Sequence, residues 1–253
     1  MLIAADNLHG LNAAVIKAME SLDARPIELL VRQCEDHGAD YIDINPGYLS
    51  PAKEDRIVFL VETVQKVTSL PLILDSPNPR VLRRGLEACN EPPILSALTL
   101  EKRKLQDLLG LAVESGAELV ILLLDEASFS PATLEEKIAL ATVLKEQAAQ
   151  AGVPTQNLIF DPVLPSLSWD DSFLRVRETV KTVRFLSTGA VFQEPVRTMA
   201  GLSNLRSGFR RIFPAQIEYT CLTLLAGAGL DILLCDVLNP ELKNAISAMQ
   251  RYC

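Results

Sequence analysis

Residues 38–47 read Gly38-Ala39-Asp40-Tyr41-Ile42-Asp43-Ile44-Asn45-Pro46-Gly47, and the plan of this stretch recurs along the chain. A glycine releases the backbone from a helix, a short apolar run follows, and the run ends in a carboxylate, an amide and a turn. Gly116-Ala117-Glu118 and Gly229-Leu230-Asp231 open two further apolar runs in the same manner. Asp75-Ser76-Pro77-Asn78, Asp161-Pro162 and Gly201-Leu202-Ser203-Asn204 close others with a similar polar signature. Such runs, apolar almost throughout, read as parallel strands buried on both faces.

Working outward, strand candidates fall at 2–6, 41–45, 71–75, 93–97, 119–125, 158–161, 198–203 and 232–236. Segments with helical periodicity lie between and after them, at 27–37, 55–67, 80–89, 101–115, 134–151, 171–185, 217–226 and 240–251. This alternation, unbroken by any shift in composition, predicts an α/β fold: a (β/α)8 TIM barrel in which residues 1–253 form one domain. The length of 253 residues is usual for that barrel, and the 49% of apolar residues suffices to fill it. A doubly wound open sheet is the structural alternative; it would often carry a glycine-rich first turn, and none follows the first strand. Two loops depart from the rhythm. Residues 162–171, with the single Trp169, leave the C-terminal end of strand six and are expected to cover a site there. Residues 187–197 enter strand seven from the opposite end and read as structural.

Composition narrows the function. The net charge of −8 and a pI near 4.9 argue against nucleic acid as a partner and require any anionic ligand to be held by local groups. No run of apolar residues is long enough for a membrane span, and the first residues lack the pattern of a signal peptide. Cys34, Cys89, Cys221, Cys235 and Cys253 form no C-x-x-C pair, so reduced, buried thiols are expected. Together these features predict a soluble cytoplasmic protein.

Several barrel chemistries are disfavoured. His9 and His37 are the only histidines, too few for a histidine-rich metal centre. His37 precedes Gly38 and reads as a helix-terminal residue. No lysine stands at the C-terminal end of a strand, which weakens a Schiff-base reading. Gly227 and Gly229 fall in a helix-to-strand joint and not in a phosphate-binding loop. What remains is a ring of oxygen and amide groups: Asp6, Asp43, Asn45, Asp75, Asn78, Asp125, Asp161, Ser203, Asn204 and Asp236. Strand C-termini are where such barrels build active sites, and these groups suit a small, flat, hydrogen-bonding heterocycle. Within the ring Asp236 reads first as a helix cap and Asp43 as a brace, whereas Asp75, Asp161 and Asn204 read as ligand groups. Clustered carboxylates also suit Mg²⁺; that reading needs a basic partner at a strand end, and only His9 comes near the description.

In combination, Leu74-Asp75-Ser76-Pro77-Asn78, Asp161-Pro162-Val163-Leu164-Pro165 and Gly201-Leu202-Ser203-Asn204 make the chain resemble the pterin-binding barrels. Within them it looks most like the methyltetrahydrofolate:corrinoid methyltransferases, with dihydropteroate synthase a more distant relative. Asp43-Ile44-Asn45 and Gly85-Leu86 add to the likeness, which runs from Met1 to Asp231. The resemblance implies transfer of a methyl group between a tetrahydrofolate-type pterin and the cobalt of a corrinoid protein, the cobalamin being carried by that partner. It implies a homodimer as well. Asp161 matches a carboxylate that pairs with the amino-pyrimidine edge, and Asp75 and Asn204 match groups on the pterin ring. Asn204 is the catalytic position, tied to N5, while Asn45, Asn78, Ser96 and Ser203 shape the pocket.

Departures from the family pattern cluster in the same region. Ser96-Ala97 stands where Asn-Ser is usual, Asp6-Asn7-Leu8-His9 replaces a Glu-Arg-x-Asn type sequence, and strand five ends in Leu123-Leu124-Asp125. Arg211-Ile212 and Gln216 lie near the places of an expected Arg and Asn. Losing a buried hydrogen-bond partner costs roughly 1–3 kcal/mol. A non-catalytic paralogue that serves as a binding or assembly partner therefore stands as the alternative. Dihydropteroate synthase itself is disfavoured, because no lysine-bearing motif occupies the strand-seven region.

Overall fold

The structure is a computed structural model that describes residues 1–208 and 213–252. Each strand pairs in parallel with its neighbours in chain order, and the last returns to the first, Leu2 opposite Ile232 and Ala5 opposite Cys235. The strands are β1 (Leu2–His9), β2 (Tyr41–Asn45), β3 (Leu72–Asp75), β4 (Ile94–Leu98), β5 (Glu118–Leu122), β6 (Leu158–Asp161), β7 (Arg197–Gly201) and β8 (Ile232–Cys235). The predicted TIM barrel is thereby formed, and closure leaves no unpaired strand edge. Around it, among the described residues, run α1 (Ala13–Ser21), α2 (Ala24–Asp36), α3 (Arg56–Gln65), α4 (Pro79–Ala88), α5 (Lys102–Ser115), α6 (Leu134–Ala151), α7 (Ser172–Ser187), α8 (Gln216–Gly227) and α9 (Pro240–Tyr252). No helix among the described residues is long and apolar enough to cross a membrane.

The period of two along each strand divides the core. Ala4, Ile73, Ile94, Val120, Ile159, Met199 and Ile232 pack together inside the barrel. Ile3, Ile42, Leu72, Leu74, Leu95, Leu119, Phe160 and Leu233 belong to the larger core shared with the helices. Two residues beyond the interior layer, the same alternation brings Asp6, Asp75 and Asp161 to the C-terminal mouth. At the other end the interior is closed by an ion pair, Arg197 Nη2 to Glu118 Oε1 at 2.5 Å. Gly38, Gly116 and Gly229 take φ values of 88°, 67° and 92°, the left-handed geometry expected at the joints.

Three elements differ from the sequence reading. β1 extends to His9, with a register shift between Ala5 and Leu8 that carries the strand past its predicted end. α1 was absent from the predicted helices; the Asn12 side chain caps it, and Val15, Ala18 and Met19 bury its inner face. β5 stops at Leu122, because Asp125 Oδ1 accepts the Ala127 and Phe129 N–H groups, each at 2.9 Å, and so braces a turn. The loop at 187–197 approaches β7 from its N-terminal end, and Phe192 packs on Phe160 with ring centroids 5.7 Å apart.

Gly85 lets α4 pack closely on both α3 and β3. A Cβ there would lie 2.9 Å from Ile57 Cγ1 and 3.0 Å from Leu74 Cδ1, both on fully buried side chains. Overpacking costs roughly 1–3 kcal/mol, against about 1 kcal/mol gained in helix propensity. Gly85→Ala is therefore expected to lower stability by up to about 2 kcal/mol in urea unfolding. A midpoint at or above that of the parent would show that the Ile57 and Leu74 side chains repack freely.

Candidate active site

A cavity of about 760 Å³ opens at the C-terminal mouth, walled by Asp6, Asp43, Asn45, Asp75, Asn204 and Asp236, with His9, Ser203 and Arg206 at its sides. The β1 and β2 loops that frame it touch at glycine: a Cβ on Gly10 would sit 2.6 Å from the Pro46 carbonyl oxygen. The Asn45-Pro46-Gly47 signature is thus a close-approach turn, with Asn45 Oδ1 accepting the Gly47 N–H at 3.0 Å.

Asn45 has a second task. Its Nδ2 donates to Asp75 Oδ2 at 2.7 Å and holds that carboxyl toward the cavity. Burial raises Asp75 to about 6, against the lowering effect of this hydrogen bond. Asp6 also rises to about 6 through burial, the Ser203 hydroxyl opposing the shift and Asp236 adding to it. Asp43 is only 2% exposed and its Oδ1 lacks a hydrogen-bond partner among the described residues. Burial, then the charges of Asp75 and Asp6, push it well above the usual carboxylate range. Asp43 makes no bracing hydrogen bond among the described residues, contrary to the role read for it; the residue borders the cavity, and its unpaired Oδ1 is itself buried. Asp236 is likewise a wall residue: its Oδ1 accepts from Asn7 Nδ2 and, at 3.0 Å, from the Leu238 N–H. The predicted cap of α9 is instead made by Asn239, whose Oδ1 accepts the Glu241 and Leu242 N–H groups.

Asn204 stands on a short 3-10 helix, Leu202–Arg206, that follows β7. Its side-chain amide makes no hydrogen bond among the described residues and lines the cavity. The loop at 162–171 supports this helix and does not wall the cavity. Its Leu167 N–H donates to the Leu205 carbonyl at 3.0 Å, and the Ser166 hydroxyl donates to the Ser207 carbonyl. Arg206, exposed at the rim, pairs with the buried Glu218 through Nη2 and Oε2 at 2.6 Å.

The remaining predicted residues lie elsewhere. Asp161 and Ser96 are 4% and 8% exposed, buried in the barrel beside the cavity and not along its wall. Asp161 Oδ1 accepts the Val163 N–H at 2.7 Å. Burial raises it to about 7, with the Val163 N–H and then Lys137 opposing and Asp75 reinforcing. Ser96 sits opposite Asp75 in the sheet, and its peptide bond to Ala97 is cis. Asn78 is committed to the start of α4: its Oδ1 accepts the Arg80 N–H at 3.0 Å and its Nδ2 donates to Glu54 at 3.3 Å. His9 Nδ1 accepts the Leu11 N–H at 3.2 Å, and burial lowers the ring's pKa. Gln216 is exposed at the first residue of α8, and Arg211 and Ile212 lie outside the described residues. Among the described residues no three His, Cys, Asp or Glu side chains are placed to hold a metal ion together. The four cysteines described are free.

Sequence reasoning missed Lys137 and the Arg206–Glu218 pair. Searching strand ends for lysine passes over Lys137, which reaches the loop after β6, at the C-terminal end of the barrel, from a helix.

A mouth lined by several carboxyls is complementary to a neutral ligand rich in N–H donors. Fold and site thus define a (β/α)8 barrel with a polar, acid-lined C-terminal cavity. The chain belongs to the pterin-binding enzyme family, whose model matches residues 15–234. A methylcorrinoid:tetrahydrofolate methyltransferase of Eubacterium limosum is 26% identical over 253 residues, covering 98% of this chain and 89% of its own. A dihydropteroate synthase of Xanthomonas albilineans, in complex with 7,8-dihydropteroate, superposes with a TM-score of 0.71 at 17% identity over 99% of this chain and 92% of its own. A Yersinia pestis dihydropteroate synthase with a sulfonamide drug complex gives 0.68 at 17% identity, covering 99% and 93%. The two structures speak to the fold.

Because Asp75 is raised, the folded protein holds its proton more tightly than the unfolded chain. Its stabilising contribution is complete below the unfolded value of 3.8 and is lost as pH rises through about 6. Asp75→Asn, which keeps an oxygen for Asn45, is expected to stabilise the ligand-free protein by about 1–3 kcal/mol at pH 8 and by little near pH 4. Urea unfolding at the two pH values checks this; an equal effect at both would place the Asp75 charge in solvent.

Proposed function

We propose that this protein moves a methyl group between N5 of a tetrahydrofolate-type pterin and the cobalt of a corrinoid protein. The observation that carries the reading is Asn204, an unpartnered amide beside carboxylates suited to the donor edge of a pterin. The name of the Eubacterium limosum relative supports it.

On this reading the ring reaches past the cavity wall, so that Asp75 on the wall and the buried Asp161 beside it both accept hydrogen bonds, a carboxylate being the natural partner of two adjacent N–H donors. Asn45 keeps Asp75 aimed at the ring. Asn204 serves N5 in either direction of transfer, because an amide offers both a donor and an acceptor. Donation to a methylated N5 makes the tertiary amine a better leaving group, N5 taking its proton from solvent; acceptance from N5–H orients its lone pair toward an incoming methyl, and the proton released as the N5–C bond forms passes to solvent at the open cavity. The corrinoid supplies a cobalt able to give up or accept the methyl group, so no lysine or histidine base is required of the barrel. Holding the two reactants in line is then the main task of the chain.

A second reading is the non-catalytic pterin-barrel paralogue, serving as a binding or assembly partner. It is favoured by Asp161 and Ser96, which lie outside the cavity wall. Condensation of the dihydropteroate synthase kind draws no support from the end of β7, which reads Gly201-Leu202-Ser203-Asn204 without a lysine.

The test is methyl transfer between methyltetrahydrofolate and cob(I)alamin, with calorimetric binding of methyltetrahydrofolate measured alongside. Asn204→Ala is expected to lower kcat by roughly 10²–10³-fold while weakening pterin binding only a few-fold. An unchanged kcat would remove Asn204 from the chemistry. Saturable binding lost in Asp161→Ala, but no turnover in the parent, would favour the second reading.

A further inference from the structure

Lys137 is 1% exposed and among the largest fully buried side chains, yet nothing in the proposed chemistry uses it. It lies in the first turn of α6, behind a capping box in which Thr133 and Glu136 bond reciprocally. From there Nζ reaches under the barrel mouth, donating to the Pro162 carbonyl at 2.6 Å and to the Ser130 hydroxyl at 2.8 Å. A buried ammonium is expensive unless an anion and hydrogen-bond acceptors meet it. Ser130 and Pro162 supply the acceptors, and Asp161, next to Pro162 in the chain, makes no direct ion pair with Lys137 but is the carboxylate whose charge favours the ammonium.

The corner that Lys137 grips is the one that aims Asp161. Val163 takes φ +61°, an uncommon conformation for a β-branched residue that persists only where its surroundings impose it. Three bonds impose it here: Val163 N–H to Asp161 Oδ1, the Thr179 hydroxyl to the Val163 carbonyl at 3.1 Å, and Lys137 to the Pro162 carbonyl. Ser130 is held in turn by Arg175, whose Nη1 donates to its carbonyl at 3.1 Å.

We infer that Lys137 is a positioning residue for the pterin-anchoring carboxylate: it fixes the Asp161-Pro162-Val163 corner and supplies the buried positive charge that balances Asp161. The inference rests on the proposed pterin site and adds to it the group that makes a fully buried carboxylate usable as an anion. Asp161 feels Lys137 from α6 and Asp75 from β3, with opposite effects. Lys137 feels Asp161, and also Arg175 from α7 and its neighbour Glu136. Burial lowers Lys137 to about 8, while Asp161 is raised to about 7 and would rise further without the lysine.

The experiment follows the Asp161 carboxyl by ¹³C NMR, assigned against Asp161→Asn, in the parent, Lys137→Met and Lys137→Gln. The glutamine variant keeps a donor for Pro162 without the charge and covers the case in which the methionine variant fails to fold. Asp161 is expected to titrate about one pH unit higher in both variants. At pH 7 their calorimetric affinity for methyltetrahydrofolate should fall roughly five- to tenfold and recover near pH 9, with Lys137→Arg restoring the parent profile. In an Asp161→Asn background the lysine substitutions should leave the pH profile unmoved. An unshifted Asp161 titration, or an affinity loss equal at every pH, overturns the charge-balancing role. If Asp161 shifts as expected but the parent binds no methyltetrahydrofolate at any pH, the pterin reading fails, and with it the part assigned to Lys137 in that site.

Discussion

Concentrating carboxyl groups at one end of a closed, dry barrel is the constraint on which the rest of this structure depends. A parallel strand fixes direction by parity, so each strand that sends an isoleucine into the barrel centre sends its next inward residue to the mouth. Asp75 and Asp161 follow Ile73 and Ile159 in this way. Most of these carboxyls are buried, and each must find a donor, shift its pKa or wait for a ligand. The structure uses all three outcomes. Asp75 takes Asn45, Asp161 takes the Val163 N–H with Lys137 behind it, and Asp43 retains an unpaired oxygen and a raised pKa.

Those choices shape the loops. The β1 and β2 loops meet at Gly10 and Pro46 because no side chain fits between them. The loop after β6 gives up a place over the cavity to hold the 3-10 helix that presents Asn204. Rigid support of this kind suits the orienting task proposed for the site, because a hydrogen bond to a reacting atom is worth most when its donor needs no rearrangement. The ion pair of Arg197 with Glu118 closes the opposite end, away from the cavity. The cavity thus occupies one end of the barrel and this ion pair the other.

The barrel was legible in the sequence because its signal is repetitive. Helix-ending glycines, apolar runs of strand length and polar strand tips recur often enough that errors at single boundaries do not alter the topology. β5 ended early and α1 was missed, yet neither changed the strand order. The site was legible by residue type and less so by role. Asp75, Asn45, Ser203 and Asn204 line the cavity, whereas Asn78 caps a helix and Asp161 and Ser96 lie beside the wall. Asp43 and Asp236 exchanged the scaffold roles read for them for places on the wall, because a strand-end aspartate looks the same in sequence whether it caps, braces or faces a ligand.

By itself, then, the sequence determined the strand count, their parallel order and the end of the barrel at which the polar groups gather, since each follows from local periodicity and from turn chemistry. Only the tertiary structure decided which oxygen remains unpaired, which carboxyl is shielded, and that a lysine from α6 lies beneath the loop after β6. These depend on groups distant in the chain sharing one small, dry volume, where pairing and desolvation are set by three-dimensional placement and not by sequence neighbours.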